Sequence, residues 1–170
     1  MRSFKILIIV SAIFLVCVTS LFAQRGFNLS SGLNGFRGIK WGTDISSLSG
    51  MQYHTEDKER GVKYYRKEGD ELKIGEANLN NIWYGFWNAK FLEVSIFCSR
   101  ENFDNLKSAA FTIFGSVRPD REGNYSWYGE QTDMILMNFE RQGGGGLLSM
   151  YSNEIYEQRR KQMEIQKKGF

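Results

Sequence analysis

Residues Asn81 to Cys98, N-I-W-Y-G-F-W-N-A-K-F-L-E-V-S-I-F-C, constrain the fold of this chain more than any other stretch. Aromatic and β-branched residues fill both halves, and Asn88-Ala89 between Trp87 and Lys90 supplies a two-residue turn, so the segment predicts a long β-hairpin. Pairing outward from that turn sets Trp87 against Lys90, Phe86 against Phe91, Gly85 against Leu92, Tyr84 against Glu93 and Trp83 against Val94. One face then carries Trp83, Gly85, Trp87, Leu92, Val94, Ile96 and Cys98, and reads as core. The other carries Ile82, Tyr84, Phe86, Phe91, Glu93, Ser95 and Phe97. That second face is aromatic yet broken by Glu93 and Ser95, the pattern of a surface that is partly wet or awaits a partner.

The chain opens with M-R-S-F-K, an apolar run from Ile6 to Val18, and Thr19-Ser20-Leu21-Phe22-Ala23. A basic start, an apolar stretch of this length and a small residue at its end make a secretory signal over residues 1–23, with cleavage after Ala23. A retained membrane anchor is the alternative reading. Cys17 is not a lipid site, because Phe14-Leu15-Val16 before it lacks a small residue next to the cysteine. Removal of residues 1–23 leaves 147 of the 170 residues, takes Arg2 and Lys5 but no acidic residue, and lowers the formal net charge from +3 to +1. A balance so close to neutral argues against nucleic acid as a partner. It leaves Cys98 alone, so no disulfide can form within the mature chain and stability must come from packing. Cys98 itself ends an apolar strand and reads as a small buried hydrophobe.

Gly-, Ser- and Asn-rich residues 24–35 read as a flexible leader. Residues 36–152 carry the periodicity of one α+β domain. Thr43 is placed to cap a short helix through Leu48, and the charged turn Glu56 to Arg60 leads into a strand from Val62. A second turn at Glu68-Gly69-Asp70 continues an antiparallel meander into the Ile82 to Cys98 hairpin. The clearest helix follows Asn102, with Phe103, Leu106, Ala110 and Ile113 on one stripe, and ends at Gly115 ahead of Pro119. Strands follow at Tyr125 to Tyr128, Met134 to Phe139 and Leu147 to Tyr151. Gly143 to Gly146 join two strands and so read as a mobile hairpin loop, since a phosphate cradle leads into a helix N-terminus. Residues 153–170 form a helical tail whose apolar stripe is thin, so its last turns project into solvent. The expected fold is an antiparallel sheet meander packed on one principal helix, with a C-terminal helix and a weak tandem echo of helix followed by strands.

Catalytic constellations are poorly supplied. His54 is the single histidine, which disfavours a His-rich metal site or a Cys-His nucleophile pair, and no G-x-S-x-G elbow supports a serine triad. Glu56, Asp57, Glu68, Asp70, Glu71, Asp133 and Glu140 include no pair whose separation the sequence fixes, and Asp104, Asp120 and Asp133 form no Ca²⁺ loop. The expectation is therefore a protein that is not an enzyme and takes no cofactor or metal.

The order Phe36-Arg37-Gly38-Ile39-Lys40-Trp41-Gly42-Thr43, followed by Tyr64-Tyr65, Tyr84-Gly85-Phe86, Phe114-Gly115 and Trp127-Tyr128-Gly129, resembles a group of uncharacterised exported bacterial proteins. More distantly, a short helix after W-G-T and a helix-then-strands unit resemble the small envelope modules of the β-lactamase-inhibitor-like and outer-membrane-assembly-lipoprotein type. The lipid-bearing Cys of the latter and the disulfides of the former are missing here. That resemblance implies protein binding. With the aromatic face, it sets the leading expectation of an exported module, periplasmic or extracellular, that meets a protein partner of the cell envelope through Tyr84, Phe86, Phe91 and Phe97. One alternative is a carbohydrate-binding or carbohydrate-cleaving protein with Trp83, Trp87 or Trp127 as stacking platforms. Another is a structural envelope component tethered by an uncleaved N-terminus.

Overall fold

The computed structural model describes residues 33–139 and 144–168. The signal segment 1–23 and the leader as far as residue 32 lie outside the described residues, as does Gly143 of the glycine run. Leu33, three residues ahead of the order that the periodicity suggested, is already buried in the core. A small ladder of β1 (Gly35–Phe36) and β2 (Ile39–Lys40) follows, then a single 3-10 turn at Ile45–Ser47. Asp44 rather than Thr43 caps that turn, its Oδ1 accepting from the Ser46 backbone N–H at 3.0 Å. Thr43 is instead drawn into the sheet, where its carbonyl accepts from Phe91 N at 2.9 Å.

Seven strands make the main sheet: β3 (Met51–Asp57), β4 (Val62–Lys67), β7 (Asn81–Trp87), β8 (Lys90–Cys98), β9 (Tyr125–Tyr128), β10 (Thr132–Asn138) and β11 (Gly146–Ser152). A short ladder of β5 (Lys73–Ile74) and β6 (Ala77–Asn78) interrupts the chain between β4 and β7. The spatial order is β3-β4-β7-β8-β11-β10-β9, with every pairing antiparallel. Two meanders thus meet at the centre, each contributing its last strand, β8 from one and β11 from the other. The tandem echo of the sequence takes this form, a helical turn followed by strands in each half.

Helix α1 (Phe103–Phe114) connects the halves and lies over one sheet face, burying Phe103, Leu106, Ala110 and Phe114, residues spaced three and four apart. Gly115 ends it with φ 85° and its N–H returned to the Phe111 carbonyl at 2.9 Å. Asn102, expected as its cap, does different work: its Oδ1 accepts from the Asn78 backbone N–H at 3.0 Å and ties the helix start to β6. Gly146 belongs to β11 rather than to a loop. A Cβ there would lie 2.5 Å from Phe103 Cδ2, so the missing side chain lets α1 approach the sheet. Helix α2 (Asn153–Lys168) covers one end of the opposite face with Ile155 and Arg159, and every described residue after Arg159 except the half-buried Met163 is exposed. Among the described residues no helix is long and apolar enough to cross a membrane.

The expected hairpin forms, and Asn88 and Ala89 both take positive φ (48° and 62°), as a two-residue turn between twisted strands requires. Its predicted register holds for only two pairs. Trp87 faces Lys90 and Phe86 faces Phe91, but the next pair is Gly85 with Glu93, so Leu92 is an extra residue and β8 bulges there. Beyond the bulge Tyr84 opposes Val94 and Trp83 opposes Ser95. The face assignment is corrected accordingly. Val94, Ile96 and Cys98 join Ile82, Tyr84, Phe86 and Phe91 under α1 and the N-terminal segment. Trp83, Gly85 and Trp87 lie on the other side with Glu93, Ser95 and Phe97.

Candidate functional site

The side of the sheet away from α1 is only partly covered. Its centre is laid out in three cross-strand rows that register fixes. Met137, Leu147 and Phe97 make an apolar row; Ile135, Ser149, Ser95 and Trp83 make a mixed one; Asp133, Tyr151, Glu93 and Gly85 make a polar one. Strand alternation puts Leu147, Ser149 and Tyr151 on this face, while Leu148, Met150 and Ser152 point to the core. Tyr156 of α2 closes one side, its ring 5.1 Å from that of Tyr151, and Arg60, from the β3–β4 turn, closes another. The resulting groove has a volume of about 400 Å³.

A bonded network stands at its polar end. Glu93, 4% exposed, receives Tyr64 OH at 2.5 Å and Arg60 Nη1 at 3.1 Å on Oε1, and Arg60 Nη2 at 2.5 Å on Oε2. Both oxygens are engaged, as a buried carboxylate requires. Gly85 makes room for it: the Glu93 side chain passes over the glycine where any Cβ would stand. On the α1 side a similar set joins Tyr84 OH to Asp70 Oδ2 at 2.7 Å and Arg37 Nη1 to Asp70 Oδ1 at 2.5 Å. Each set anchors a turn, β3–β4 through Arg60 and β1–β2 through Arg37.

Burial, reinforced by the adjacent carboxylate, raises the phenol of both Tyr64 and Tyr84 well above the ordinary tyrosine value. The linkage has a definite sign. An unfolded tyrosine ionises near pH ~10, so above that point the unfolded chain gives up protons that the folded protein retains, and stability falls with rising pH. Below about pH 10 the contribution of these phenols is fully present. Urea midpoints measured from pH 8 to 12 are expected to decline from roughly pH 10 upward, and Tyr84→Phe to show a shallower decline. Equal slopes for wild type and variant would refute this role for Tyr84.

Trp83 is the least satisfied residue in the groove. Its ring is packed by Phe97 at 4.5 Å, His54 at 4.8 Å and Tyr64 at 6.1 Å. Its indole Nε1, fully shielded, has no hydrogen-bond partner among the described residues. Trp127, by contrast, is 4% exposed and donates to the Gly115 carbonyl at 2.8 Å. Trp87 packs against the small cluster of Val62, Leu92 and Ile155 beneath α2.

Of the four residues expected to form a binding face, Tyr84, Phe86 and Phe91 are 0%, 2% and 0% exposed and sit in the main core. Phe36 and Trp41 cover them, with ring centroids 5.9 Å from Tyr84 and 4.7 Å from Phe91. Only Phe97 lines the groove, and the bulge at Leu92 is the reason the four do not share a surface. The residues missed are Arg60, Tyr64, Leu147, Ser149, Tyr151 and Tyr156, whereas Trp83 was named as a stacking platform of the carbohydrate alternative. One signal for them was present in the sequence, since a glycine inside a strand of large residues marks a bulge or a close approach. Comparison with protein-family models, curated proteins and solved structures finds no match.

Proposed function

We propose that this protein is an exported, non-enzymatic binding module that holds an extended segment of a partner protein against the groove on the open face of its sheet. The observation that carries this reading is the row of half-buried apolar side chains, Phe97, Leu147 and Met137, that register lays along the groove. The partner's aliphatic side chains then rest on Phe97, Leu147 and Met137. Glu93 and Arg60 neutralise each other, so the segment that lies there needs no charge of its own. Saturation of both Glu93 oxygens, together with a Tyr64 phenol held protonated, supports binding over acid-base chemistry. Export rests on the apolar run of residues 6–23, and the resemblance to small envelope modules that bind proteins points the same way.

A photocrosslinking residue at position 137, used in the native envelope fraction, will identify the captured protein. The purified partner is then titrated against wild type, Leu147→Asp and Trp83→Phe, each checked for folding by circular dichroism. Leu147→Asp is expected to bind about 30-fold more weakly or worse, because a charge is placed in the apolar row. Trp83→Phe shrinks the aromatic wall beside that row, and roughly tenfold weaker binding is expected. Unchanged affinity in both folded variants overturns the reading.

A further inference from the structure

A second pocket of about 220 Å³ opens on the opposite side of the sheet, between α1 and strands β8 and β11. Its walls are hydrocarbon: Ile96 from β8, Leu148 and Met150 from β11, Ala110 and Ile113 from α1, with Leu33 leading in from the β1–β2 side. Interiors of folded proteins carry few voids larger than one water molecule. An apolar cavity of ~150 Å³ already suffices for benzene and does not hold ordered water, which needs polar partners. This pocket is larger than that and offers almost no polar surface. Arg37 is the one charged residue among its described lining, and its side chain is 23% exposed.

We infer that this pocket is a binding site for the hydrocarbon tail of a single-chain anionic amphiphile, a fatty acid, with the tail between α1 and the sheet and the carboxylate beside Arg37. Volume limits the occupant to one chain. The aliphatic lining selects a flexible tail, and the partial exposure of Arg37 leaves the charged end hydrated. Asp70 Oδ1 and the Glu71 carbonyl take up Nη1 and the Lys73 carbonyl takes one Nη2 hydrogen, which holds the guanidinium in place and leaves its Nε edge for a carboxylate. The site is independent of the groove, which lies on the other face.

The test is calorimetric titration of the full chain with sodium decanoate below its micelle concentration, with 1-decanol as a second ligand. One-to-one saturation is expected, tighter for decanoate than for the alcohol. Ala110→Leu fills the pocket from α1 and is expected to weaken binding about tenfold or more, with the melting temperature held or raised as cavity filling does. No saturation by wild type, or unchanged binding in folded Ala110→Leu, overturns the inference. Should Ala110→Leu fail to fold, methyl NMR of wild type with decanoate decides. Shifts at Ile96, Ile113, Leu148 and Met150 support the site, whereas shifts at Met137 and Leu147 place the ligand in the groove and refute it.

Discussion

Gly85→Val will leave this protein unable to fold stably, although the substitution adds only three carbons to a β-strand. An ideal Cβ at position 85 would stand 2.6 Å from Glu93 Cγ, 3.1 Å from Tyr64 Cε1 and 3.2 Å from Val62 Cγ1. None of these neighbours can yield at little cost. Val62 is fully buried, and moving Glu93 separates its carboxylate from Tyr64 and Arg60. Breaking a buried charge network typically costs about 3–5 kcal/mol, and overpacking adds ~1–3 kcal/mol. Their sum is comparable with the whole stability of a domain, about 5–15 kcal/mol. Gly85→Ala, which introduces the clash alone, is expected to lose about 3 kcal/mol in urea denaturation. The pair Gly85→Ala with Glu93→Ala should lose less than the sum of the two single changes, because the alanine then occupies space that Glu93 has vacated. Additive losses, or a Gly85→Ala variant as stable as wild type, would show that the close approach is not the constraint described.

Phe91→Ala is expected to destabilise the fold by about 4 kcal/mol, the usual scale for deleting a buried ring. Phe91 touches Trp41, Tyr84 and Phe86, with ring centroids at 4.7, 5.8 and 5.4 Å, so its loss opens a cavity where the N-terminal segment meets the sheet. The phenyl ring is a structural element and not a docking surface. Thermal and urea unfolding of the variant measure this directly. A Phe91→Ala protein of wild-type stability that had lost its partner would return Phe91 to the binding role its sequence pattern suggested.

Much of the framework was legible from local chemistry. Asn88-Ala89 marked the hairpin, because short-looped strands require positive φ and Asn accepts it readily. The stripe of Phe103, Leu106 and Ala110 with Gly115 beyond it marked α1, since burial at helical spacing is a property of the segment itself. The alternation of Leu147, Ser149 and Tyr151 with Leu148, Met150 and Ser152 was equally local, although it did not say which set would face α1. The hairpin pairing was legible only as far as Phe86 and Phe91.

Beyond that point a single extra residue decided the surface of the molecule. Side chains in a strand alternate, so one inserted residue transfers everything after it to the opposite face. Leu92 is that residue, and its bulge sends Val94, Ile96 and Cys98 to the core while bringing Glu93, Ser95 and Phe97 to the groove. Nothing in the local pattern of alternating aromatics marks Leu92 as the extra residue. The bulge is held by contacts distant in sequence: Glu93 reaches Arg60 and Tyr64, while Trp41 covers Phe91. Turn chemistry and periodicity, both local, thus set which segments become strands and helices. Which aromatic rings became core and which became site was settled by long-range packing, because that choice depends on where a buried carboxylate finds its arginine.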